Sequence, residues 1–390
     1  MKKRVLRFIK HSFITLVILG ILAICFGLYH GASFRYAENP KMMDWDKDGP
    51  YLFDKNDSVV TVNYIRGNQD KGFYLDQKEY ASNSRIPAYC YFPLDDSHFE
   101  FTINNKIEIP ATTYNDVAKI LAISDIESGF KTFRDFLITN KVVDEKLNWI
   151  FGDGHLVLLG DFVDRDFSTT QVLWLIYKLE QEAKEKDGAV HYILGNHELK
   201  NIQGNYGDTS PKYYHVSSIL RKQQIELYGP DSFLGKWISS KNSIEKINGI
   251  LFAHGGIHPD LTKYVTNLDE VNQIIRNNYY RPYYPDPKKN LEQLLISSRK
   301  GIVWYRGYFK DDLTQGQVEA GLNQFNARSI VVGHTLQSSV NKKYNGKVIG
   351  IDVKHPKDYS KSIPDKKSEG LLIEGTRYYK VLHNGEKKEI

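Results

Sequence analysis

Cysteine is nearly absent: the 390 residues hold two, Cys25 and Cys90. Cys25 lies in an apolar run near the N-terminus, so the remainder carries a single thiol and no internal disulfide. That excludes a disulfide scaffold and a cysteine-rich zinc module, while one thiol identifies no compartment. Cys90, within Ala88-Tyr89-Cys90-Tyr91-Phe92, reads as a buried core residue. Charge of one sign is also scarce. The formal net charge is +5, and five basic residues stand within the first ten positions, so the rest is close to balanced. Charge makes no case for nucleic-acid binding, and no nucleic-acid partner is expected. The sequence has neither an internal repeat nor a low-complexity tract. What it does have, 41% hydrophobic and 25% charged residues, is the composition of a folded chain with room for one large domain or two ordinary ones. The 26 tyrosines are scattered and read as packing and surface residues.

Lys2, Lys3, Arg4, Arg7 and Lys10 precede a stretch, 11–34, without Lys, Arg, Asp or Glu. Its apolar heart, 13–29, includes Leu16-Val17-Ile18-Leu19 and Ile21-Leu22-Ala23-Ile24. At about 1.5 Å per residue this heart and its small flanking residues span a hydrocarbon core of about 30 Å. The basic cluster is expected to stay cytoplasmic and to send the rest of the chain across the membrane. The competing reading is a cleavable signal peptide. The run is longer than the usual h-region of about 7–15 residues, and no A-x-A-like site follows it. Leu22-Ala23-Ile24-Cys25 resembles a lipoprotein cleavage site, but the bulky Ile24 before Cys25 argues against it. On either reading the domain is extracytoplasmic, and periplasmic if the source is Gram-negative.

Three regions are expected: a basic tail and anchor over 1–35, a stalk and β-rich accessory region over 36–115, and a catalytic domain over 116–390. Residues 36–50 read as a short polar stalk. Alternating runs follow at Val59-Val60-Thr61-Val62, 86–92 and 98–103, punctuated by Asn56-Asp57-Ser58, Arg66-Gly67-Asn68 and Leu94-Asp95-Asp96. These mark a small β-rich cover. From Ala118 the pattern becomes strand, loop, helix. Buried-strand runs stand at 120–123, 156–159, 191–194, 250–253, 330–332 and 348–351, and a helical stripe of Val172, Leu175, Ile176 and Leu179 lies within 169–186. Apolar strands alternating with helices imply a layered α/β domain.

Five of these strands end in a polar cluster. Ile123 leads into Ser124-Asp125-Ile126-Glu127, and Leu159 into Gly160-Asp161-Phe162-Val163-Asp164-Arg165. Leu194 leads into Gly195-Asn196-His197-Glu198, Ala253 into His254-Gly255-Gly256, and Val332 into Gly333-His334-Thr335. Ligands gather beyond the carboxyl ends of strands in α/β sheets, so the clusters are expected to converge on one site. Asp, Asn, Glu and His without Cys form a hard-to-borderline donor set suited to Mn, Fe or Zn. Two such ions about 3.5–4 Å apart hold a bridging hydroxide and clamp an in-line phosphoryl displacement. The glycines before Asp161, Asn196 and His334 allow sharp turns and close approach. Singly each cluster is weak; the ordered set at strand ends is specific.

In that order the motifs resemble the calcineurin-like metallophosphoesterase superfamily, over about residues 118–355. Leu251-Phe252-Ala253-His254-Gly255-Gly256-Ile257-His258-Pro259 and Val303-Trp304-Tyr305-Arg306-Gly307 resemble its bacterial Shewanella-like phosphoprotein phosphatase branch. The resemblance implies a four-layer αββα sandwich with two divalent ions, Mn favoured. It implies that Asp125 and Asp161 ligate the first ion, with Asp161 bridging, and that Asn196, His254 and His334 complete the second. His197 resembles the general acid, Asp164 its orienting carboxylate and Arg165 a phosphate-binding guanidinium. Arg306 is a candidate second phosphate contact, against a surface arginine beside a packing Trp304. One position departs: the family's first motif is Asp-x-His, and Glu127 stands where the His belongs. Glu127 either ligates the first ion, favouring Mn or Fe, or turns away and leaves that site weak. The implied activity is hydrolysis of phosphate monoesters, with a phosphoprotein bearing phosphoserine, phosphothreonine or phosphotyrosine as leading substrate and a small phosphoester also open. The alternatives are a nucleotide or dinucleoside-polyphosphate hydrolase, which shares the metal motifs, and an inactive module that binds a phospho-ligand.

Overall fold

Side-chain alternation decides the layers. In strand Ile120–Ile123, Ile120 and Ala122 pack with Val157, Leu159, Ile250, Phe252 and Val331 into one apolar core. Their neighbours Leu121, Ile123, Leu156, Leu158, Leu251 and Val332 belong to a second, larger core that also takes in the helices. With a side-chain period of two, this places the first core between two facing sheets and the helices outside them. The computed structural model describes residues 2–29, 32–287, 290–310 and 313–390. Met1, His30 and Gly31, inside the expected anchor span 1–35, lie outside the described residues.

Both main sheets are mixed and six-stranded. The first runs Ala189–Ile193, His155–Leu159, Ile120–Ile123, Glu369–Glu374, Arg377–Leu382, Lys387–Glu389, with its first three strands parallel and the rest antiparallel. The second runs Asn341–Lys343, Val348–Gly350, Ser329–Val332, Ile250–Ala253, Ile244–Ile247, Thr113–Tyr114. In it the central strands Val348–Gly350, Ser329–Val332 and Ile250–Ala253 are parallel. Six parallel strands therefore open their carboxyl ends at one edge of the sandwich, where the polar clusters stand.

The accessory region is a layer over one helix. Strands Tyr51–Asn56, Val59–Asn68 and Gly72–Ala81 form an antiparallel sheet, and Arg85–Phe92 pairs with Ser97–Asn104. Helix Thr169–Lys184 carries the expected stripe, yet Trp174, Tyr177 and Lys178 on its other face are buried too. The cover explains this: Trp174 Nε1 donates to the Pro50 carbonyl at 2.9 Å, and Gln171 Nε2 to the Tyr91 carbonyl at 2.8 Å. Residues 36–50, read from sequence as a polar stalk, pack onto the domain. Trp45 stacks on His215 at 4.7 Å, and the buried Asp48 carboxylate takes bonds from Lys212 Nζ (2.8 Å), Tyr51 Oη (2.5 Å) and Gln171 Nε2 (3.1 Å).

Helix Lys2–Tyr29 stands apart, its apolar side chains exposed. It is long and apolar enough to cross a membrane, a property that a signal sequence shares.

Candidate active site

The strand-end loops are knitted together by main chain. The amides of Asp125, Glu127 and Ser128 donate to the carbonyls of Gly160, Asp161 and Phe162 at 2.9–3.0 Å, and Gly333 N donates to the His254 carbonyl at 2.9 Å. Asp125, Glu127, Asp161, Asp164, Arg165 and His334 all have left-handed φ, between 52° and 71°. Non-glycine residues seldom adopt that conformation, and its clustering marks loops held under strain to aim side chains inward. Gly160, at φ 76°, makes the turn before Asp161. Gly195 is required for space: a Cβ there would stand 2.3 Å from Asp161 Oδ1.

Asp161, His254 and His334 offer ligand atoms within 4.8 Å of one another, all buried. His254 Nδ1 lies 2.7 Å from the Leu159 carbonyl, which fixes the ring and turns Nε2 toward Asp161 Oδ2 and Asn196 Oδ1, each 3.2 Å away. Asp125 Oδ2 accepts from His334 N at 3.3 Å. Asp125, Asp161, Asn196, His254 and His334 thus meet at one place. Burial, and then the neighbouring Asp352, push the Asp125 carboxyl well above the usual carboxylate range. Burial would raise Asp161 as well, but His254 and His197 outweigh it and hold that carboxyl below the usual range. Burial alone would lower His254; Asp161 and Asp125 overcome it and raise the imidazole to about 10. Burial, with His254 and Arg306 nearby, keeps His334 well below the ordinary histidine value. A cation among these carboxylates would take the place of the His254 proton. Buried oxygen and imidazole donors without a thiolate fit hard or borderline divalent ions.

His197 stands beside this cluster. Its Nδ1 is 2.7 Å from Asp164 Oδ2, and the Asp164 carboxylate is itself held by Asn201 Nδ2 (2.7 Å) and Thr209 Oγ1 (3.0 Å). Nε2 therefore faces outward, 3.3 Å from Arg165 Nη2 and 3.8 Å from Asp161 Oδ2. Burial alone would lower His197, but Asp161 and the Asp164 hydrogen bond raise it. Arg165 pairs with Glu127 Oε1, and Lys357 Nζ holds Glu127 Oε2 at 2.7 Å. The Glu127 carboxylate is thus engaged by two cations. Arg306 is exposed and donates to the His334 carbonyl, with its second nitrogen 3.3 Å from His334 Nδ1. It lies at the site's rim.

Three residues here went unassigned in the sequence. Glu198 is buried and accepts from the amides of Asp161 (2.9 Å), Phe162 (2.8 Å) and Gly195 (2.8 Å) and from Tyr192 Oη (3.0 Å). It ties the second and third clusters together, and its signal was its place in Gly195-Asn196-His197-Glu198. Asp352 follows the sixth parallel strand, so the strand-end rule that found five clusters applied to Ile351-Asp352 as well. Burial, outweighing His254, pushes its carboxyl up to about 7. Lys357 had no sequence signal, since its role depends on where Glu127 points.

Comparison with known proteins agrees with this geometry. The calcineurin-like phosphoesterase family matches residues 118–338. Shewanella-like protein phosphatase 1 of Plasmodium berghei is 26% identical over 62% of this chain and 69% of its own length. Shewanella-like protein phosphatase 2 of Arabidopsis thaliana is 21% identical over 67% of this chain and 78% of its own. The crystal structure of a cold-active protein-tyrosine phosphatase from a psychrophilic Shewanella species superposes with a TM-score of 0.74 at 30% identity, covering 88% of this chain and 98% of that one. The family depends on a dinuclear metal centre, and the clustered donors fit that requirement. This chain belongs to the calcineurin-like phosphoesterase family, resembles its Shewanella-like phosphatases, and is a hydrolase of phosphoric esters.

Proposed function

We propose that this protein is a membrane-anchored phosphoprotein phosphatase that hydrolyses phosphate monoesters with two divalent ions, manganese first among Mn, Fe and Zn. The observation that carries the reading is the His197–Asp164 pair, 2.7 Å apart, beside the buried Asp161, His254 and His334 cluster. A scaffold that only binds a phospho-ligand has no use for a positioned proton donor. Asp125 and Asp161 would hold one ion, and Asp161, Asn196, His254 and His334 the other. When bound, the ions supply an activated water and positive charge on the phosphoryl oxygens. The chain's own residues supply the rest. Asp164 holds the His197 ring so that the Nε2 proton faces the leaving oxygen, and the raised affinity of His197 for that proton keeps it available near neutral pH. Arg165 and Arg306 stand at the rim where a planar guanidinium fits phosphoryl oxygens. We take 116–390 as the catalytic unit and 36–115 as its cover, a division supported by both large sheets drawing every strand but Thr113–Tyr114 from 116–390. The apolar helix Lys2–Tyr29 would anchor the chain, with the basic residues cytoplasmic and the catalytic unit outside.

A phosphotyrosine substrate is favoured by the likeness to the protein-tyrosine phosphatase fold at 30% identity over most of both chains. The test compares kcat/KM on phosphotyrosine, phosphoserine and phosphothreonine peptides and on diadenosine tetraphosphate, all with Mn²⁺. A clear preference for a phosphopeptide supports the reading; a preference for the dinucleotide overturns it.

A further inference from the structure

We propose that Asp352, rather than Glu127, supplies the remaining protein ligand of the first metal ion, and that Glu127 serves as a counter-ion fixing Arg165 and Lys357. The proposal rests on the dinuclear reading above and assigns the one position at which this chain leaves its family's pattern.

The charges at the site divide in two. Both Glu127 oxygens are taken, Oε1 by Arg165 and Oε2 by Lys357 Nζ at 2.7 Å. To ligate an ion as well, Glu127 would have to share its one negative charge between the metal and these two partners, and both cations would lose part of their neutralisation. The Asp352 carboxylate is in the opposite condition. The residue is 6% exposed, and among the described residues no hydrogen bond to its side-chain oxygens offsets that burial. Only its carbonyl is bonded, by Gln337 N at 2.8 Å. Arg306, the nearby cation, turns Nη1 and Nη2 to the carbonyl and ring of His334 and forms no ion pair with Asp352. A buried carboxylate left without donors is strongly unfavourable unless a cation meets it.

Topology puts Asp352 in the right place. Strand Val348–Gly350 runs parallel beside Ser329–Val332, whose end delivers His334, and Asp352 emerges at the same edge. There its charge acts on Asp125, and the charges of His254, Glu127 and Asp161 act on it. Asp125, Asp161 and Asp352 are thus three buried carboxylates at strand ends on one edge, a charge set that two divalent ions satisfy. Adding Glu127 would bring a fourth anion and draw its charge away from Arg165 and Lys357.

The test is calorimetric titration of the metal-free full-length protein in detergent with Mn²⁺, paired with elemental analysis after dialysis. Wild type should bind two ions. Asp352→Asn, of nearly the same shape, should lose one of the two binding steps or weaken it at least tenfold, while Glu127→Gln should titrate as wild type. Metal-free Asp352→Asn should also melt above metal-free wild type, because the unpaired buried charge is gone; a merely structural Asp352 would not do this. Asp161→Asn should lose most metal binding. An Asp352→Asn titration superimposable on wild type, or loss of one ion in Glu127→Gln, overturns the assignment and leaves the dinuclear reading standing. Wild type that binds no divalent ion overturns both.

Discussion

At the scale of single residues, the site was legible wherever chemistry sits at a strand end. Asp125, Asp161, Asn196, His254 and His334 each stand within two residues of the end of an apolar run, and the fold brings them together because parallel strands share an edge. Glu127 was the ambiguous position, since no spacing reveals whether a carboxylate meets a metal or the Arg165 and Lys357 that hold it here. The His197–Asp164 pair makes a sharp prediction. His197→Ala should lose far more rate on an alkyl phosphate than on para-nitrophenyl phosphate, because only the poor leaving group needs the proton; general acid catalysis is worth about 10²–10⁴-fold. Equal losses on both substrates would remove His197 from that role. A second prediction concerns His355, buried behind the site with Nε2 at 2.9 Å from the Ser124 carbonyl. Burial holds it down to about 4, so it is neutral in the fold. The unfolded chain takes up this proton first as pH falls below about 6.5, so stability is lost between about 6.5 and 4, by up to about 3 kcal/mol. Melting temperatures across that window should fall less steeply in His355→Gln than in wild type. Parallel curves would show that His355 does not drive the acid sensitivity.

At the scale of elements, strands buried on both faces were the easiest to find. Ile120–Ile123 and Ile250–Ala253 have the bounds their apolar runs suggest. Gly72–Ala81 escaped because most of its side chains are exposed or half-exposed and its sequence is polar. The C-terminal strands Arg377–Leu382 and Lys387–Glu389 escaped for the same reason, although Asn384-Gly385 between them is a hairpin signal. Helix Thr169–Lys184 shows the limit of periodicity. Its stripe predicted one buried face, but the second is buried by a cover whose docking no local pattern announces. Asp48 ties that cover to Lys212, both side chains at most 4% exposed. Removing one member of a buried ion pair leaves the other uncompensated, at about 3–5 kcal/mol. Asp48→Ala should therefore lower the midpoint of urea unfolding markedly, whereas a loss under about 1 kcal/mol would show that the pair is hydrated and the cover loosely held.

At the scale of the whole molecule, two sheets close on an apolar core, helices pack outside them, and one edge carries the chemistry. The N-terminal helix contributes nothing to that core, which is why its meaning rests on the basic residues before it and the acids Glu38, Asp44 and Asp46 after it. Protease added to intact spheroplasts should digest the catalytic unit, with full protection beside a cleaved control protein contradicting the orientation. If hydrolysis belongs to ions held by Asp161 and its neighbours, it should follow metal content, which turnover of para-nitrophenyl phosphate by chelator-stripped full-length protein, titrated with Mn²⁺, measures. The stripped protein should show no turnover, with recovery that saturates as two ions bind per chain; undiminished turnover by the stripped protein, or two bound ions with no hydrolysis, would show that hydrolysis does not belong to these ions.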